Sequence, residues 1–254
     1  NANIDIINKD DNVTNINDIK IKDILADKII NDVYFIDEFA YVCCGFGIVV
    51  IDMLRMEVKD TYIIGRNGAY LNVNDITVYD EKFYAATSSG IYLADCNNEN
   101  LADYSQWSRD NSTIHSSINY SEIETFNDEL LANYSENKYG TDTLFVYDGE
   151  TWDYFDRSSH AIKRDIKAQD SRLIITEHYS VKVLNKDHEM IMDLYTDIEP
   201  FAAIYDKTDK VYWIGDRNNS LLKIYPDKTR EDILFNGPYN NTNFEIRARG
   251  NQLW

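Results

Sequence analysis

Hydrophobic positions in this chain fall into short runs broken by polar, turn-forming clusters, and the runs recur in one order. Residues 75–79 alternate, Asp80-Glu81-Lys82 is a polar hairpin, 83–87 is a compact apolar run, and Ser88-Ser89-Gly90 turns into 91–94. Successive side chains on a strand point to opposite faces, so short alternating runs between such clusters predict antiparallel hairpins. A fourth strand in each unit is expected to be the least distinct, because an outer edge is solvated and polar. There is no sustained helical periodicity; one stretch, 21–30, reads as a short turn of helix between units.

The order of runs is a true repeat. Asn31-Asp32-Val33 returns as Asn74-Asp75-Ile76, Tyr41 as Tyr84, Gly47-Ile48 as Gly90-Ile91 and Asp52 as Asp95, each displaced by 43 residues. With the second strand as marker, Tyr41, Tyr84, Leu131, Ile174, Trp213 and Trp254 follow at steps of 43, 47, 43, 39 and 41 residues. Four strands in a period of roughly 40–45 residues predict an all-β fold, a β-propeller of four-stranded antiparallel blades. The opening runs, 3–7 and 13–16 around a polar turn at 8–12, look like the outer half of a blade, and 244–249 with Leu253-Trp254 like an inner half. Five complete blades and two half blades predict six, closed by pairing of the two ends, or seven in a longer ring. Residues 1–254 are expected to form a single propeller domain, a fragment of a longer multidomain protein, because Trp254 stops in mid-strand.

Composition changes this picture in three ways. Tyr is abundant at 19 while Gly and Pro number 10 and 3, so Asn and Asp must supply many turns. The balance of 25 basic to 44 acidic residues, a net charge of −19, argues against nucleic acid, whose phosphates are bound by Lys and Arg. It equally disfavours docking on an anionic membrane surface. The longest apolar run, 39–51, is interrupted by Gly45 and Gly47 and is too short to span a bilayer. The chain starts at Asn1 without Met or a signal peptide, as a processed or trimmed polypeptide does. The three cysteines, Cys43, Cys44 and Cys96, have no metal spacing. Cys43 and Cys44 are expected on opposite faces of one strand as small buried hydrophobes, ahead of a redox role.

Catalytic chemistry is not visible. His115, His160, His178 and His188 are scattered, and Asp187-His188-Glu189 falls at an expected hairpin tip. No nucleophile elbow, P-loop or dinucleotide fingerprint occurs. Asp206 to Asp209 and 8–12 lack the spacing of a calcium loop and read as turns. Some carboxylate pair will always be close among 44 acidic residues, so paired carboxylates carry no specific signal. Trp107 and Trp152 suit either a stacking platform for a sugar or peptide or, preferably, plugs between adjacent blades. Asn-x-Ser/Thr triplets at Asn12, Asn111, Asn119, Asn133 and Asn240 are expected by chance in a chain so rich in Asn. The sequence therefore assigns no catalytic residue, metal ligand or cofactor, and leaves binding residues open.

Three stretches carry a family resemblance: residues 41–52 with 60–65, residues 83–92, and residues 101–107 ending in Trp107. Together they resemble the N-terminal propeller of PorZ-like proteins, surface components of the type IX secretion system in Bacteroidetes. The likeness is close over about residues 1–110. More broadly, Trp213-Ile214-Gly215-Asp216 is similar to the repeats of two-component-regulator propellers, departing from them by Asp in place of Thr. The resemblance implies an exported protein at the cell surface or in the periplasm of a Gram-negative bacterium, with further domains. It implies a non-catalytic scaffold or adaptor whose partners are a sortase-like protease, an outer-membrane barrel or lipopolysaccharide. The alternative it implies is the periplasmic glycan-sensing propeller of a hybrid two-component receptor. A propeller enzyme acting on polysaccharide is the third reading and needs carboxylates or a His converging in the channel or on one face.

Overall fold

The computed structural model describes residues 23–135, 141–156, 161–195 and 197–233 with Ile19, and the backbone of four short terminal strands. The terminal strands are β1 (Ile4–Ile7) paired with β2 (Val13–Ile16), and β23 (Ala248–Arg249) paired with β24 (Gln252–Leu253). Between them lie five four-stranded antiparallel sheets whose strands are hydrogen-bonded in chain order. Blade 1 is β3 (Ile30–Ile36), β4 (Phe39–Cys44), β5 (Gly47–Asp52) and β6 (Glu57–Tyr62). Blade 2 is β7 (Val73–Tyr79), β8 (Lys82–Thr87), β9 (Gly90–Asp95) and β10 (Ser108–Arg109). Blade 3 is β11 (Tyr120–Phe126), β12 (Glu129–Ser135), β13 (Asp142–Tyr147) and β14 (Trp152–Tyr154). Blade 4 is β15 (Lys163–Gln169), β16 (Arg172–Glu177), β17 (Val181–Asn185) and β18 (Met190–Leu194). Blade 5 is β19 (Pro200–Asp206), β20 (Val211–Asp216), β21 (Ser220–Ile224) and β22 (Arg230–Ile233).

The propeller architecture and its five complete blades are as the repeat predicts, but a ring of six to seven blades is not formed among the described residues. The two terminal hairpins form separate two-stranded sheets and share no ladder among the described residues. The short helical turn expected at 21–30 is corrected over its described part: residues 23–29 are irregular and β3 begins at Ile30, while 21–22 lie outside the described residues. Ile24 and Ala26 pack with Ile19 against Cys44, Phe46 and Val49, so burial on blade 1, rather than helical pairing, satisfies the apolar residues of this stretch. The turn expected at 8–12 lies outside the described residues.

Blades 1 to 4 are each sandwiched between two apolar layers, whereas blade 5 shares one with blade 4 among the described residues. Phe83 and Ala85 face Cys43, Ile48 and Val50 of blade 1, whereas Tyr84 and Ala86 face Ile123, Leu130 and Ala132 of blade 3. Period-two alternation thus becomes two cores instead of one core and one wet face. The same alternation sends Cys43 and Cys44, both fully buried, into different layers. Burial raises the thiol of Cys43 well above its ordinary range and that of Cys44 to about 12, so neither is a ready nucleophile.

Asp and Asn supply the hairpins that glycine usually makes. Asp80-Glu81, Asn127-Asp128 and Asp170-Ser171 each turn the chain between the first and second strands with both residues left-handed, the twist a two-residue hairpin needs. Glycine is kept where the fold leaves no alternative. Gly90 has φ of 104°, and a Cβ there would fall on the carbonyl oxygen of Ser116; its repeat mate Gly47 is blocked by the carbonyl of Tyr62. Gly90→Ala is expected to cost at least about 2 kcal/mol through backbone strain and displacement of the 116 loop. Urea unfolding measures this, and a midpoint equal to that of the parent protein would show that the site is not constrained.

Candidate functional site: the axis of the propeller

The first strands of successive blades pack side by side around the axis. Each carries a bulge at the same place. The register slips between Ile30 and Asp32, Val73 and Asp75, Tyr120 and Glu122, Lys163 and Asp165, and Pro200 and Ala202. The extra residues are Asn31, Asn74, Ser121, Arg164 and Phe201, and a bulge re-aims the side chain that it carries. Asn31 donates through Nδ2 to the carbonyl of Val73 at 2.6 Å, and Asn74 to that of Tyr120 at 2.6 Å. Arg164 donates through Nη1 to the carbonyl of Pro200 at 2.8 Å.

The residue after the bulge is acidic in four blades: Asp32, Asp75, Glu122 and Asp165, with Ala202 in the fifth. Asp75 accepts the amide of Ile123 through Oδ2 at 2.9 Å, and Asp165 accepts the amide of Ala203. One turn further along, Glu124 accepts from Ala168 at 3.2 Å and from Thr125 at 3.0 Å. Lys167, from blade 4, reaches across to Asp32 of blade 1 at 3.6 Å and lies 3.8 Å from Asp165.

Five carboxyl groups around one ammonium cannot all ionise at ordinary cost. Burial, then the nearby Asp32, pushes Asp75 well above the usual carboxylate range, and burial with Asp75 does the same to Glu122. Burial lifts Asp165 to about 6 and Glu124 to about 7. For Lys167 burial acts downward, but Asp75, Asp32, Asp165 and Glu124 together outweigh it and its affinity for a proton ends raised. The axis therefore gathers carboxyl groups around Lys167 as their counter-ion. Asp75 is 2% exposed, which leaves it no face for a substrate.

The residues singled out from sequence lie elsewhere and apart. Trp107 is buried between blades 1 and 2, donating to the carbonyl of Leu101 at 3.0 Å and stacked on Phe83. Trp152 is buried between blades 2 and 3 and donates to Asp110 at 3.2 Å. His115 stacks on Tyr134, His178 lies 3.5 Å from Glu199 on blade 5, and His188 is 3.0 Å from Glu129 at the β17–β18 turn; His160 is outside the described residues. Asp206 caps its own turn through the amides of Thr208 and Asp209. Among the described residues no group of His, Cys, Asp and Glu could hold a metal ion, and no helix is long and apolar enough to cross a membrane. Sequence reasoning missed the axial cluster, although its signal was present: Asn31-Asp32 and Asn74-Asp75 were legible as repeat landmarks.

Four-stranded blades bridged by polar side chains of their first strands define a β-propeller. Within that class, residues 1–108 match the family of the N-terminal β-propeller domain of PorZ, which bears out the resemblance read from the sequence. No curated protein matches the chain. Among solved structures, PorZ of Porphyromonas gingivalis, described as an essential bacterial surface component of the type-IX secretion system, shares the fold. It aligns with a TM-score of 0.75 at 17% identity, over 99% of this chain and 32% of that one. The extracellular domain of the putative hybrid two-component system BT3049 from B. thetaiotaomicron aligns with a TM-score of 0.60 at 14% identity, over 88% of this chain and 31% of that one. That of the putative one-component system BT4673 from the same organism gives 0.60 at 12% identity, over 82% and 28%. The chain thus spans about a third or less of each of these.

The axial cluster sets a pH dependence. Asp165 and Glu124 hold their protons more tightly folded than unfolded, so folding takes up protons between about pH 4 and 7, and stability falls as pH rises through that window. The melting temperature is expected to be higher near pH 5 than near pH 8. Lys167→Met should cost about 2 kcal/mol at about pH 8, discounted because the ammonium is a third exposed, and less at about pH 5, where protonated carboxyls need no counter-charge. Thermal melts of both proteins against pH test this; a variant equally destabilised at both pH values would refute the counter-ion role.

Proposed function

We propose that this propeller is a non-catalytic scaffold or adaptor of a bacterial cell-surface secretion and attachment complex of the type IX kind. The observation that carries the reading is the match of residues 1–108 to the PorZ N-terminal propeller family, extended by a shared fold over 99% of the chain. The carboxylates that converge on the axis support it by being tied to backbone amides of the next blade and to Lys167. What remains for function is the set of loops on a rigid frame, where binding normally resides. On this reading residues 1–254 are one propeller domain of a longer, exported protein at the cell surface or in the periplasm. Its partners are a sortase-like protease, an outer-membrane barrel or lipopolysaccharide.

A second reading, the glycan-sensing propeller of a hybrid two-component receptor, is supported by the two extracellular domains that share the fold. Crosslinking of the tagged full-length protein in living cells, followed by mass spectrometry of what it recovers, separates the two. Recovery of an outer-membrane barrel or a sortase-like protease is the expected result. Recovery of neither, with a kinase domain in the same polypeptide, would replace the scaffold by the sensor. Turnover of a polysaccharide by the purified protein would overturn the non-catalytic reading.

A further inference from the structure

Two short 3-10 turns, Arg66–Gly68 between β6 and β7 and Tyr104–Gln106 between β9 and β10, lie close together and line an open cleft of about 370 Å³. Arg66 from the first turn and Arg109 from β10 both line it, together with Tyr104, Tyr92 and Trp107. Neither guanidinium has an ion-pair or hydrogen-bond partner among the described residues. In a chain with 44 acidic residues that is unusual. Of the other arginines whose side chains are described, Arg55, Arg164, Arg217 and Arg230 are ion-paired, and Arg172 is bonded to the carbonyl of Asp170 and lies over Tyr205.

The nearby carboxylates are committed elsewhere. Asp103 caps the second turn through the amide of Ser105 at 2.9 Å. Asp110 accepts the amide of Ser112 at 2.8 Å with one oxygen and the indole of Trp152 at 3.2 Å with the other. The walls are fixed: Trp107 is tied to Leu101, Arg109 lies over the ring of Tyr92, and a Cβ on Gly68 would sit 3.2 Å from the ring of Tyr104. Tyr104, 44% exposed, lines the opening.

We propose that this cleft binds a ring-shaped small anion, a sugar bearing a carboxylate or a phosphate. Both guanidiniums line the one cleft, and each is a planar multi-donor suited to a carboxylate or a phosphate. The protein's net charge repels anions at long range, so such a ligand is held by local hydrogen bonds, not by the overall field. The cleft volume, in the lower part of the roughly 300–1,000 Å³ typical of ligand sites, suits one or two sugar rings, with Tyr104 against a ring face. This site rests on Arg66 and Arg109 themselves and does not depend on the scaffold reading.

Calorimetric titration of the full protein with glucuronate, glucose 1-phosphate and inorganic phosphate at low ionic strength tests it. Millimolar or tighter binding of at least one sugar anion is expected, and which of the two binds identifies the anionic group. Arg66→Gln and Arg109→Gln should each weaken binding about tenfold, the loss of one charge-assisted contact. Tyr104→Ala should weaken the sugar anion and leave inorganic phosphate unchanged. The melting temperature and circular dichroism of each variant report whether it is folded. Absence of binding by both sugars, equal binding of inorganic phosphate, or binding that survives the double arginine variant overturns the proposal. Preference for an acidic peptide over both sugars would do so too. Loss of the site with partner capture intact would leave the scaffold reading standing.

Discussion

The structure depends on side chains that do the work of a missing backbone ladder. Each blade ends, toward the axis, in a first strand whose outer edge has no β partner, because neighbouring blades are separate sheets. Unpaired backbone groups near the axis would cost free energy comparable to lost hydrogen bonds. Asn31, Asn74 and Arg164 donate to carbonyls of the next blade, while Asp75, Asp165 and Glu124 accept its amides. Further contacts reinforce two of these interfaces: Gln169 accepts the amide of Tyr205 between blades 4 and 5, and Thr125 donates to the carbonyl of Val78 between blades 2 and 3. The bulge makes this geometry available by adding one residue that faces sideways.

That solution has an electrostatic consequence. An amide is best satisfied by a carboxylate, so acids accumulate at one level around the axis, and each raises the cost of ionising the others. Lys167 relieves this by spanning blades 4 and 1, and protonation relieves the rest. A cluster arranged to hold strands together thereby also gathers carboxyl groups that hold their protons more tightly than usual. Away from the axis, Arg66 and Arg109 line a cleft with no ion-pair or hydrogen-bond partner among the described residues.

How much of this is legible in the sequence follows from how local each feature is. The 43-residue offset is a matter of letters in order, and the paired glycines Gly47 and Gly90 mark real constraints, since a Cβ at either strikes a carbonyl. Blade identity in the second half is harder to read because Ser121, Arg164 and Phe201 stand where Asn31 and Asn74 stand in the first, different groups doing related jobs or none. The apolar residues at 21–30 mislead because burial on a blade face needs no regular structure. The cleft is invisible in sequence: its character lies in what Arg66 and Arg109 do not touch, and pairing of 25 basic with 44 acidic residues is decided only by the fold.

The assignment of alternate residues of β8 to two different cores makes each blade half of two units. Cooperativity then runs along the chain as a nearest-neighbour coupling, with each interface conditional on the order of both its blades. A lesion such as an overpacked layer between blades 2 and 3 is felt first by those two and is attenuated beyond them. Change can therefore accumulate blade by blade: a lineage can rewrite the loops and even the axial chemistry of one blade, as Ala202 in place of an acid shows, while its neighbours keep the frame.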